Sequence, residues 1–121
     1  MNGKTASQSA LAHLAFFQQH EGEMLSLLRH MVEIESPSDD KAAVDRMGAF
    51  LADAFERLGG QVTFYPQEAA GNHLKAEFTG GASGKPVLLL GHFDTVWPMG
   101  TLAKMPFVWK QAALLDPACM T

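Results

Sequence analysis

Cysteine is nearly absent: Cys119 is the one cysteine in 121 residues. This excludes an internal disulfide and a cysteine-based zinc site. Long hydrophobic runs are missing too, and the apolar stretches fall far short of the ~20 residues that cross a bilayer. Basic charge is scarce, with 9 lysines and arginines against 13 acids, a net charge of −4 and no basic run. Nothing therefore points to nucleic acid as a partner. Met1 to Ala10 carries a single lysine among mostly polar and small residues. It lacks the compact apolar stretch and cleavage site of a secretory signal, so the expected location is cytoplasmic, with no membrane partner. The glycines of Gly80–Gly84 have no Lys-Ser/Thr ending and no helix after them, so they read as a turn and not as a phosphate cradle. There is no internal repeat.

What is present suits a globular chain of one domain at most: 47% of residues are apolar and 18% charged. Leu11, Leu14, Ala15 and Phe17 predict a helix from about Ser7 to Gln19, with Gly22 marking a break. A second helix is predicted over Glu23–Glu35, where Met24, Leu27, Leu28, Met31 and Ile34 form one apolar stripe of core filler. Pro37 ends it, because a residue before proline avoids the helical region. A third helix begins at Ser38 or Asp39, either of which can cap it, and runs to about Leu58. Its apolar face is Val44, Met47, Leu51, Ala54, Phe55 and Leu58, and Gly59-Gly60 stops it. Gln61–Tyr65 and the alternating His73–Thr79 read as strands. His13 and His20 are assigned to solvated faces. Asp39, Asp40 and Asp45 are assigned to capping and solvation, because neighbouring helical positions point in different directions.

The run Val87-Leu88-Leu89-Leu90 is bounded by the glycine turn and by Gly91, and predicts a strand buried on both faces. It leads into His92-Phe93-Asp94. In extended chain His92 and Asp94 share a face at the strand's C-terminal end, where sites form in open α/β sheets. A neutral imidazole is a good zinc ligand, and a nearby carboxylate can fix its tautomer. By spacing alone, the plainer reading is a histidine hydrogen-bonded to a neighbouring acid. The fold class expected is α/β, helices packed on a mixed sheet.

The stretch Leu89-Leu90-Gly91-His92-Phe93-Asp94-Thr95-Val96-Trp97-Pro98, followed by Gly100-Thr101-Leu102 and Met105-Pro106-Phe107, resembles the first metal-site motif of the M20 family of zinc exopeptidases. The glutamate carboxypeptidase (carboxypeptidase G2-like) branch is the nearest. The likeness also takes in Glu33-Ile34-Glu35-Ser36-Pro37-Ser38 and Gly71-Asn72-His73-Leu74. It implies an N-terminal helical segment over 1–20, a partial catalytic domain over 21–107 and a divergent tail over 108–121. It also implies metal-dependent hydrolysis of a C-terminal amide bond in a small peptide or N-acyl amino acid. Two zinc ions would activate a bridging water and a glutamate would take its proton. By the same resemblance His92 is a zinc ligand and Asp94 the catalytic-site acid that orients it.

The family's remaining parts are a bridging aspartate in a Gly-Pro-Gly-x-x-Asp context, a glutamate base beside a glutamate ligand, a further acid and a late histidine. Val108–Thr121 does not match that context as written. Suppose, however, that each codon is rebuilt from the third base of one residue and the first two of the next. Trp109–Lys110 must then give glutamate and Met120–Thr121 aspartate. Asp116–Pro117 must give proline or serine, and Cys119–Met120 tyrosine or histidine. The other steps permit Val-Glu-Ala-Gly-Arg-Ala-Thr-Gly-Pro-Gly-Met-Tyr-Asp, which the family would carry here. The expectation is a reading frame that slips near Phe107–Val108.

One ligand and its orienting acid do not make a catalytic zinc site, which takes three protein ligands. This chain alone is therefore expected to bind zinc poorly and to be inactive. An unpaired sheet edge is expected to drive oligomerisation or aggregation. Two alternatives stand beside this: a non-catalytic α/β binding module that keeps only the fold, and a deacylase of the same superfamily, which keeps the same residues and changes only the substrate. Imidazole would accept zinc, cobalt or manganese alike.

Overall fold

The computed structural model describes residues 3–81 and 84–109. The tail reading above falls almost wholly on 110–121, outside the described residues. Three helices precede a two-stranded antiparallel sheet: α1 (Gly3–Gln19), α2 (Glu21–Glu33), α3 (Lys41–Arg57), β1 (Gln61–Tyr65) and β2 (His73–Glu77). The architecture is α/β, with α3 packed on the hairpin.

The centre of the fold is α3. Asp40, not Ser38 or Asp39, caps it, accepting the Ala43 N–H at 2.9 Å. This satisfies one of the donors that a helix start leaves orphaned. The helix ends in paired bonds from Gly59 N–H to the Glu56 carbonyl and from Gly60 N–H to the Phe55 carbonyl, each 2.9 Å. Gly59 sits at φ +86, the left-handed position that this type of C-cap reserves for glycine. Ala43, Val44, Met47 and Ala52 are the buried apolar residues. Leu58, expected on this face, is 74% exposed, because the helix has already ended.

The hairpin pairs Val62 with Ala76 and Phe64 with Leu74, which puts these four on one face. Leu74 and Ala76 are half-buried while His73, Lys75 and Glu77 are exposed, the alternation that the sequence predicts. Asp45 ties the helix to the turn region: its carboxylate accepts the Asn72 N–H at 2.7 Å and the Lys41 ammonium at 2.9 Å. Asn72 in turn accepts from Lys41 at 2.8 Å and from the Gln67 N–H at 2.9 Å. Asp40 and Asp45 are thus a cap and a tie.

The mixed sheet expected from the sequence is, among the described residues, a single antiparallel pair, and two further expectations fail. The α2 stripe is not core: no α2 residue is buried, and Met24, Leu27 and Leu28 stay more than 40% exposed. Its break from α1 falls at His20, not Gly22. The His20 Nδ1 bonds back to the Phe16 carbonyl at 2.8 Å. Nor is Val87–Leu90 a buried strand, since these four residues are 84 to 92% exposed and form no ladder. A strand buried on both faces needs a partner at its edge and a layer on each side. Among the described residues, β1 and β2 pair only with each other, so the apolar run has neither.

No helix among the described residues is long and apolar enough to cross a membrane.

Candidate functional site

The motif is held by four residues just beyond the C-cap of α2, Ile34. Glu35, Ser36, Pro37 and Ser38 run alongside residues 93–95 in parallel, with a bridge between Pro37 and Thr95. The Thr95 N–H donates to the Ser36 carbonyl at 2.8 Å and the Ser38 N–H to the Thr95 carbonyl at 3.0 Å. The Ser36 hydroxyl donates to the Phe93 carbonyl at 2.9 Å. Proline at 37 suits this geometry, because its fixed φ favours extended chain and its missing N–H is not needed there.

Glu35 holds the next turn. Its two carboxylate oxygens accept the N–H groups of Gly100 and Leu102, each at 2.9 Å. These bonds, that to Leu102 first, hold the carboxyl below its ordinary value of 4.5, because hydrogen bonds to the charged form favour it. Phe93 packs against α3 at Gly48, where an added Cβ would stand 3.5 Å from its ring.

His92 and Asp94 emerge from this clamp and meet. The His92 Nδ1 lies 3.2 Å from Asp94 Oδ1 and 3.1 Å from the Asp94 carbonyl oxygen. Both neighbours are acceptors, so a neutral ring carries its proton on Nδ1 and leaves the lone pair on Nε2. The His92 side chain is 85% exposed and that of Asp94 38%. The Asp94 carboxyl is held below its ordinary 3.8, first by the Ser38 hydroxyl, with His92 adding to it and burial opposing. That hydroxyl has one proton, and in this geometry it points to the Thr95 carbonyl at 3.1 Å. The carboxylate is thus its competing acceptor.

Residues 92–94 form a wall shared by two clefts. One, of about 530 Å³, is lined by Leu28, Met31, Met47, Trp97 and Leu102, together with Glu35 and Ser36. The other, of about 410 Å³, lies toward Asn72, His73 and Leu90. Part of the α2 stripe thus lines a cleft instead of filling a core. The spacing argument brings His92 and Asp94 together although the strand under them does not form. The sequence offers Ser38 as a helix cap, and no local pattern points to Glu35 or Ser36 as holding the motif; their one signal is the Glu-Ser-Pro-Ser run directly after an amphipathic segment.

As a metal site the donor set is incomplete. Among the described residues no three histidine, cysteine, aspartate or glutamate side chains converge so as to hold an ion. His92 is one oriented donor, and His13 and His30 are exposed on other elements.

The chain is 34% identical over 87 residues to carboxypeptidase G2 of Pseudomonas sp. (strain RS-16), a match that covers 69% of this chain. It spans about a fifth of that relative's length, 20%. No family model matches the chain, and no solved structure does.

Proposed function

We propose that this chain carries the first metal-ligand segment of a carboxypeptidase-like, M20-type hydrolase. His92 is a zinc ligand through Nε2, and Asp94 is the acid that fixes its tautomer. The observation that carries this reading is the double acceptor on His92 Nδ1, which directs an accessible Nε2 lone pair outward beside a cleft. A carboxylate or carbonyl behind a ligating histidine is the usual support for such a donor. Similarity to a carboxypeptidase adds to it. The apolar cleft of about 530 Å³ suits the side chain of a small peptide or N-acyl amino acid.

The residues present do not close a catalytic site. One ligand falls short of the three that catalytic zinc takes, so no catalytic step is assigned to this chain by itself. The test is a titration of the purified chain and of His92→Ala with zinc and cobalt, with an assay on peptides ending in glutamate. The expected result is weak uptake that the substitution abolishes, and no hydrolysis. Stoichiometric submicromolar binding, uptake indifferent to His92, or metal-dependent hydrolysis by this chain would overturn the proposal.

A further inference from the structure

Ser36 is the one polar side chain among the described residues with no exposed surface, at 0%. It lies outside the His92–Asp94 pair and touches neither side chain through a hydrogen bond. Its two bonds to the motif fall on either side of Asp94. The hydroxyl donates to the Phe93 carbonyl at 2.9 Å, which belongs to the peptide unit entering Asp94. Its own carbonyl accepts the Thr95 N–H at 2.8 Å, which belongs to the unit leaving it. A peptide unit is planar and rigid. Fixing the units before and after a residue therefore fixes its φ and ψ, and with them the direction of its Cα–Cβ bond and the rotamers open to its side chain.

We infer that Ser36 is the positioning residue of the His92–Asp94 pair. By anchoring both peptide units that flank Asp94, it sets the acceptors that keep the imidazole proton on Nδ1. It thereby sets which nitrogen His92 presents outward. This deepens the proposed function and rests on it only for the use to which the outward nitrogen is put.

An ordinary buried serine would satisfy a carbonyl and add stability, with no effect on a ring that is itself exposed. The two roles separate in the tautomer of His92. A free imidazole prefers its proton on Nε2, against the Nδ1 form that this geometry imposes. The experiment is to record the ring ¹⁵N shifts of His92 at about pH 8, where an unperturbed imidazole is neutral. The original chain, Ser36→Ala and Ser36→Thr are compared, without metal. The original chain should show the Nδ1–H form. Ser36→Ala removes the anchor on the Phe93 carbonyl and keeps the backbone bond to Thr95, so it should move both ring nitrogens toward the values of free histidine, and Ser36→Thr, which restores a hydroxyl, should bring them back toward the original. Unchanged His92 shifts in a folded Ser36→Ala overturn the inference, whatever happens to its melting temperature.

Should Ser36→Ala fail to fold, a warming series on the original chain decides. Loss of the Nδ1–H form together with loss of Thr95 amide protection, at temperatures where mid-α3 amides stay protected, supports the clamp. Loss of the tautomer while Thr95 stays protected overturns it. None of these readouts involves a metal, so failure of the clamp is distinct from failure of His92 as a ligand, which the metal titration of His92→Ala reads.

Discussion

Asp45 receives the backbone N–H of Asn72 at 2.7 Å, across 27 positions of sequence, and so joins α3 to the chain entering β2. Lys41, one turn earlier, bonds both residues. Replacing Asp45 with Asn keeps the shape but lowers the charge on the acceptor and weakens the tie to Lys41. The expected outcome is a lower melting temperature, with Asn72 and Gln67 amides losing hydrogen-exchange protection before those of mid-α3. Unchanged protection at Asn72 would contradict the tie.

Gly71 leaves no room for a side chain. A Cβ there would lie 2.1 Å from Val44 Cγ1 and 2.6 Å from Val44 Cβ. Rotating Val44 relieves the first clash but not the second, so Gly71→Ala must push the loop from α3. The expected destabilisation is about 1–3 kcal/mol, the range for overpacking a tight contact, read by denaturant unfolding. Adding Val44→Ala should recover only part of it.

Acid should loosen the clamp before it reaches the helices. The folded pKa of Glu35 lies below its ordinary 4.5, through the Leu102 and Gly100 amides. A depressed carboxyl contributes stability that is present above the unfolded value and lost as pH falls through the folded one. Protection of the Gly100 and Leu102 amides, relative to their intrinsic exchange, should therefore hold at neutral pH and fall as pH drops below about 4.5. Glu35→Gln should remove that pH dependence. The carboxylate is solvent-accessible, so added salt should reduce the effect.

Val87–Leu90 presents four exposed apolar side chains and an unpaired backbone, the combination that recruits other chains. Sedimentation should show oligomers or aggregates for the original chain and a shift toward monomer for Leu89→Lys. A monodisperse, cooperatively melting original chain would refute the expectation.

Nucleotide sequencing from codon 105 onward addresses the tail. A second frame that continues from Met105-Pro106-Phe107 into Val-Glu-Ala-Gly-Arg-Ala-Thr-Gly-Pro-Gly-Met-Tyr-Asp bears out the frame slip proposed near Phe107–Val108. Codons that cannot encode that peptide remove it.

Local signals were legible wherever a segment settles its own state. The period of α3, its glycine stop, and the alternation of β2 all depend on neighbours within a few positions. The α3 cap was legible in kind but misplaced by one or two residues, because Ser38, Asp39 and Asp40 are all competent and only the path after Pro37 selects among them. The α2 stripe and the Val87–Leu90 run were misread for one reason. Apolar patterning says that a face wants cover, not that the chain supplies it. Met24 and Leu27 on α2, like Leu89, are exposed because no described element lies over them.

The sequence by itself determined the helices, the two strands, and the shared face of His92 and Asp94, since residues two apart point the same way in extended chain. Tertiary structure alone decided what holds that pair. Glu35 and Ser36 lie 57 or more positions from the atoms they bond, and nothing in a local pattern announces a partner so distant. Their hydrogen bonds form only after α2 ends beside the motif, because a hydrogen bond selects by distance and angle in space and not by position in the chain.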